Sequence, residues 1–175
     1  MIKSLMSRIR SKLSSNLAIE GVLTVFLEAE DGTRIFLVGP KPKPNRIMSA
    51  AKAHLLSSLY DGSYVQRRIL TFRVGNGGTV TPGGADPKAV TDDRTGLFAQ
   101  HVDPYTDTLT APAVSVDGKA ITYSFSIPSG ELNGEIINEV GLFKSDSTMF
   151  NMKTFPSVTK TAGFSLNFFW TIRLP

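Results

Sequence analysis

The sequence predicts a mainly β protein: an antiparallel β-sandwich or barrel-like domain with one packed helix and an N-terminal amphipathic helical arm. Three observations carry this. Gly 15 and Pro 10 in 175 residues place turn-formers between short apolar runs, and a charged content of 19% is low for a helical protein. The runs alternate apolar with polar residues, the period of a half-buried strand. The last run, "FSLNFFWTIRL", sets Phe164, Leu166, Phe168, Trp170, Ile172 and Leu174 on one face and Ser165, Asn167, Thr171 and Arg173 on the other. Phe169 breaks the alternation, an aromatic ring on the polar side that needs a partner.

The arm comes first. In "MIKSLMSRIRSKLSSNLAIEG" the residues Leu5, Ile9, Leu13 and Leu17 recur every fourth position and share one helical face, with the cations largely off it. Such a helix packs on its own domain or on a neighbouring subunit; a membrane surface, or folding upon a partner, are the other uses of the pattern. Arg8, Arg10 and Lys12 interrupt any secretory apolar run, and no stretch of the chain approaches the ~20 apolar residues of a membrane span. A membrane partner is not expected.

"GVLTVFLEAEDGTRIFLVG" predicts a hairpin, Val22 to Ala29 and Thr33 to Val38, turning at Glu30-Asp31-Gly32. "PKPKPN" at residues 40–45 is the best linker, because three alternating prolines remove backbone donors and favour extension. It divides the chain into residues 1–45, arm and hairpin, and residues 46–175, a β-rich attachment domain; a connector inside one domain has the same composition. From Arg46 to Tyr60 the apolar residues Ile47, Ala51, Leu55 and Leu59 predict a helix that stops at Asp61-Gly62.

Next come a strand with Leu70, Phe72 and Val74 on one face and a Gly-Pro-rich loop over residues 75–96 that docks on something or moves. Asn76, Gly77 and Gly78 head that loop. They lack the spacing of a dinucleotide fingerprint and no Gly-Lys-Ser/Thr follows, so phosphate binding is not expected. A turn at Val116 to Lys119 leads to a strand carrying Ile121, Tyr123, Phe125 and Ile127. Strands at Glu135 to Phe143 and Met149 to Phe155, joined by a turn at Lys144 to Ser147, precede a connection from Pro156 to Gly163 and the closing strand. Glu139 is expected to pair with a cation such as Lys153 or Arg173 across the sheet.

Charge and chemistry narrow the function. The net charge of +4 is accounted for by Lys3, Arg8, Arg10 and Lys12 in an arm without acidic residues, which leaves 15 basic and 15 acidic residues elsewhere. A basic groove across the main domain is unsupported, so no nucleic-acid partner is expected. With Cys 0 the fold holds by packing alone and no thiolate chemistry exists. His54 on the helix and the solitary His101 make no metal site, Asp92-Asp93 and Asp103 with Asp107 sit where Asp makes turns, and no nucleophile elbow occurs. No cofactor, metal or catalytic residue is expected and the chain is read as a non-enzyme.

"INEVGLFKSDSTMFNMKTFPSVTKTAGFSLNFFWTIRL" resembles a segment recurrent in tail-fibre, collar-fibre and baseplate-associated proteins of tailed bacteriophages, in which an "NEVGLF" strand leads through "TFP" and "TKT" to an aromatic strand ending "WTIRL". "LLSSLYDGSYVQRRILTFRVGNGGTVTPGGADPKAV" is similar to the companion segment of those proteins, a helix, a strand and a "VGNGG" loop. Together they cover residues 46–175, the C-terminal segment being the more specific; nothing comparable covers the first 45. In tail fibres this module precedes a shaft and receptor-binding tip, whereas this sequence stops at Pro175. The resemblance implies a virion attachment or adaptor subunit, present in many copies, bridging tail or baseplate to fibres, and made in the host cytoplasm. It supplies no catalytic residues. Contacts with other virion proteins are expected at Leu5, Ile9, Leu13, Leu17, Asn76, Gly77, Gly78 and Phe169. A capsid or neck decoration protein and a carbohydrate- or receptor-binding β-sandwich module are the alternatives.

Overall fold

The computed structural model describes residues 19–39, 46–51, 68–101 and 112–173. Their strands are β1 (Glu20–Ala29), β2 (Arg34–Val38), β3 (Arg46–Ile47), β4 (Ile69–Gly75), β5 (Ala113–Val114), β6 (Ala120–Ile127), β7 (Ile136–Lys144), β8 (Met149–Thr159) and β9 (Phe164–Arg173). They form two antiparallel sheets, one in the order β2-β1-β9-β6-β5 and the other β3-β8-β7-β4.

The expected hairpin is present. Gly32 takes the positive φ of 83° that the turn requires, Gly32 N–H donates to the Ala29 carbonyl at 3.0 Å, and the Asp31 carboxylate accepts from Thr33 N–H at 2.8 Å. This hairpin does not stand apart from the chain beyond residue 45. β1 pairs with β9 without interruption from Glu20↔Arg173 to Ala29↔Phe164, so strands from both sides of the proline segment share one sheet. The helix expected from Arg46 begins later, since Arg46–Ile47 pairs with β8 and helical residues start at Ser49. Residues 52–60, and with them His54, lie outside the described residues.

β9 sits between β1 and β6, the position its apolar face demands. Leu166, Phe168 and Trp170 are buried and face the same way as Leu23, Val25 and Leu27 on one side and Tyr123, Phe125 and Ile127 on the other. The rings of Phe125 and Phe168 stack with centroids 4.8 Å apart, and Phe72 of β4 stacks on Phe125 at 4.0 Å. Side chains of both sheets thus meet in one hydrophobic cluster that also takes in Val74, Ile137, Val140, Leu142, Met149 and Phe155. Burying side chains of this size stabilises by about 1.5–3 kcal/mol each, the term that a cysteine-free chain depends on.

β8 runs four residues further than the sequence pattern suggests, through Pro156 to Thr159. Its pairing with β7 jumps from Glu139↔Thr154 to Ile137↔Val158, and exposed Pro156 lies in that irregularity, where no ladder bond asks for its missing N–H.

Candidate functional site

β7 reads Ile136, Ile137, Asn138, Glu139, Val140, Gly141, Leu142, Phe143, Lys144, and every residue after the first is buried. Such a strand is covered on both faces. One cover is the hydrophobic cluster; the other is the loop after β4, held by two adjacent polar side chains. The Glu139 carboxylate is fully buried and accepts three backbone N–H bonds, from Gly77 at 3.1 Å and Ala99 at 2.8 Å on Oε1 and from Phe98 at 2.8 Å on Oε2. Charge-assisted bonds of this kind offset the desolvation of a buried carboxylate. Asn138, also fully buried, accepts from Gly78 N–H at 2.7 Å, and the two hydrogens of its NH2 are shared among the Asn76 carbonyl at 2.9 Å and the hydroxyls of Thr79 and Ser157, both at 3.0 Å.

Glu139 therefore does not play the role expected of it. Across β8 it faces Thr154, Lys153 stands opposite Val140, and Arg173 belongs to the other sheet. The Gly-rich loop does cradle an anion, and the anion is the chain's own carboxylate. Its glycines are required by closeness: a Cβ on Gly75 would come 2.6 Å from Glu139 Oε1, one on Gly77 would come 2.6 Å from Ala99 N, and one on Gly78 would run into the Asn138 carbonyl. On Gly141 it would meet Leu97 Cδ2 at 3.1 Å, a tight contact from which the loop's leucine would have to shift.

The rest of the loop is fastened by side chains on both sides. Lys88 Nζ donates to the Gly77 carbonyl at 2.7 Å, and Thr154 Oγ1 donates to the Lys88 carbonyl at 2.7 Å. The Arg94 guanidinium lies 3.6 Å from the Phe98 ring centroid and Lys88 Nζ 4.8 Å from it. His101 Nε2 is 3.1 Å from the Ile136 carbonyl oxygen, with the Glu135 carboxylate 3.7 Å from Nδ1. The two ends of the loop, residues 75–79 and 97–101, cover β7, and Lys88 ties its middle to Gly77 and to Thr154 of β8.

Of the other residues named by the sequence, Phe169 is placed as its phase requires. It projects from the outer face of the five-stranded sheet, 42% exposed, with its ring stacked on Phe26 at 5.6 Å and 9°. Phe26, off-phase in β1 as Phe169 is in β9, stands 5.5 Å from the ring of Phe36, and Arg34 lies over it at 4.8 Å while donating to Glu28 at 2.8 Å. Phe26 is buried beneath these neighbours; Phe36 is 49% exposed. Asn76 is exposed, whereas Gly77 and Gly78 spend their N–H groups within the chain. Leu5, Ile9, Leu13 and Leu17 lie outside the described residues.

Comparison with protein-family models, with curated proteins and with solved structures finds no match.

Reasoning from the sequence missed the Asn138–Glu139 clasp and the partners of Phe169. A signal existed for both. Phe26 stands out of phase in β1 opposite Phe36 of β2, and "VGNGG" and "NEVGLF", far apart along the chain, are the two halves of one hydrogen-bonded unit. Among the described residues no group of three or more His, Cys, Asp or Glu could hold a metal ion, and no helix is long and apolar enough to cross a membrane.

A second polar fixture closes the other end of β8. Lys160 is fully buried, and its Nζ donates to the carbonyls of Thr161 at 2.9 Å and Ser129 at 3.2 Å and to Asn133 Oδ1 at 3.3 Å. Burial pushes its pKa below the usual lysine value, with nearby Glu131 acting in the opposite sense. The ammonium ties the connection before β7 to the turn before β9.

Proposed function

We propose that the chain is a structural subunit of a tailed-phage virion, an attachment or adaptor protein at the tail or baseplate that bridges to fibres and works in many copies without catalysis. Its fold in this reading is a β-sandwich whose two sheets close on the shared aromatic cluster, with the N-terminal segment as an assembly arm. The observation that carries the proposal is the clasp. The two stretches that resemble phage fibre modules, "VGNGG" and "NEVGLF", bind each other through Asn138 and Glu139, with Gly75, Gly77, Gly78 and Gly141 opening the space. The remaining pieces of the resembling segment each do a local job as well: Thr154 of "TFP" holds the loop, Lys160 of "TKT" ties two turns, and Trp170 of "WTIR" is fully buried.

A framework of this kind suits a stiff part in a larger assembly. Its loop is locked down by buried polar bonds, and its outer face keeps an aromatic cluster partly open to solvent. The test is a phage stock whose gene for this chain carries an early stop. Particles that lack fibres and fail to adsorb, restored by supplying the chain in trans, are expected; normal fibred particles would overturn the proposal. A carbohydrate-binding module would instead present its aromatics to a sugar, and retention of the purified chain on a glycan array with no assembly defect would identify that alternative.

A further inference from the structure

The outer face of the five-stranded sheet is unlike a solvated one. Val22 and Phe26 of β1, Phe169 of β9 and Phe36 of β2 make an apolar patch between Thr24 and Thr171 on one side and Asn167 and the Arg34–Glu28 pair on the other, bordered on β6 by Thr122, Ser124 and Ser126. Its β2 border is a sheet edge on which Phe36 is 49% exposed. We propose that this face is the acceptor for residues 2–17 of a neighbouring copy of the chain. The inference rests on the reading of the chain as a multi-copy subunit and names the surfaces that would join the copies.

Length, charge and connectivity support that occupant. From Leu5 to Leu17 the stripe spans twelve steps, about 18 Å in a helix. Val22 to Glu28 on β1 covers about 20 Å of strand, a matching span. The segment carries Lys3, Arg8, Arg10 and Lys12 and no acid, while the hairpin beside Phe36 carries Glu28, Glu30 and Asp31 against Arg34. Opposite charge therefore borders the apolar stripe on both partners.

The chain's own segment is poorly connected for this seat. Ile19 packs against the core cluster and Glu20 opens β1, so Leu17 is two residues from a position fixed in the sheet. Two residues reach at most about 7 Å. A helix is about 10 Å across, so laying Leu17 over β1 of the same molecule demands a full reversal within that short reach, which favours a neighbour's sheet. A neighbour's sheet carries no such restriction, and a helix seated there would also cover the β2 edge.

The full chain contains no cysteine, so site-specific cross-linking tests this directly. Chains carrying Ile9→Cys and chains carrying Phe36→Cys are mixed and oxidised, next to a chain carrying both substitutions. The expected product is a mixed disulfide dimer severalfold in excess of either homodimer. Light scattering should show the wild-type chain as an oligomer that reverts to monomer mass with Phe169→Ser and with the pair Arg10→Glu, Lys12→Glu. The second variant leaves the sheet untouched and separates loss of docking from loss of folding. A closed monomeric cross-link in the double variant without mixed dimer would place the segment on its own sheet and overturn the proposal, as would a monomeric wild type together with cysteine variants that form neither product. Mixed dimers from a chain absent from phage particles would retire the virion reading and leave this contact standing; the reverse pattern would do the opposite.

Discussion

Replacing Glu139 by Gln is the most informative single perturbation, because it changes one heavy atom of a fully buried group and leaves the shape intact. The carboxylate serves three N–H donors, Gly77 at 3.1 Å and Ala99 at 2.8 Å on one oxygen and Phe98 at 2.8 Å on the other. In the amide one oxygen remains and the other becomes an NH2 that faces a donor. Orphaning one buried donor costs about 1–3 kcal/mol, and the two remaining bonds each lose about 1 kcal/mol on becoming neutral. The expected loss is at least roughly 3 kcal/mol, a large part of the about 5–15 kcal/mol that holds a domain together. With a urea dependence of about 2 kcal/mol per molar, the unfolding midpoint falls by about 1.5 M. Amide exchange should locate the damage: Gly77, Phe98 and Ala99 should exchange faster while Leu23 and Phe168 lose protection only as far as global stability falls. A midpoint shift under about 0.3 M with unchanged exchange at those three amides would refute the reasoning.

Other outcomes rest on the same geometry. Gly78→Ala drives a methyl into the Asn138 carbonyl and should cost about 2 kcal/mol by urea titration, whereas Gly96→Ala, with open space around its Cβ position, should stay within about 0.5 kcal/mol. At Asp146 desolvation raises the pKa, but bonds from Lys144 and Thr148 more than offset it, so the group titrates at about 2 against an ordinary 3.8. Its contribution is therefore present above pH 3.8 and lost as pH falls towards 2; Asp146→Asn should flatten that stretch of the acid stability curve and, by taking the carboxylate from a Lys144 side chain 1% exposed, lower stability at pH 7. Lys160→Met takes the ammonium from the Ser129 carbonyl, leaves the Thr161 carbonyl with only the Phe164 N–H at 3.3 Å, and should cost about 1–3 kcal/mol by thermal unfolding. Because the folded-state pKa of Lys160 is lowered, the unfolded chain holds that proton more tightly, and the wild type should gain stability over the Met variant as pH rises towards 10.5.

Period-two alternation made the strands legible, and it works where one face is buried and the other open. β6 and β9 have that pattern, and their inward residues were readable one by one. β7 does not, because a loop covers its second face. There Asn138 and Glu139 look like surface positions until the loop is in place, so a cross-strand cation was the natural guess for Glu139. The Gly-rich loop carried a true signal read in the wrong direction. Clustered glycines mean close approach to an acceptor, and the acceptor lay 60 residues downstream in the same chain. Pro156 hid the end of β8 because proline ordinarily marks a strand's limit, an inference that fails at a bulge where no N–H is needed. At residues 40–45 the prolines suggested a boundary. Ten residues of β1–β9 pairing outweigh that composition, since they tie the hairpin into the sheet. Phe169 was legible because it violates its strand's phase; Phe26 does the same in β1, Phe36 lies in the unbroken apolar run of β2, and the rings of Phe36 and Phe169 both meet that of Phe26.

Membership of a virion, as a built-in part rather than a passenger, is the property on which the proposed function stands. Mass spectrometry of phage particles purified from cells expressing the encoding genome, calibrated with isotope-labelled peptides of the chain, tests it most directly. A fixed number of copies per particle, unchanged by high-salt washing and co-fractionating with tails, is the expected result. A chain abundant in the infected cell and absent from purified particles would contradict it.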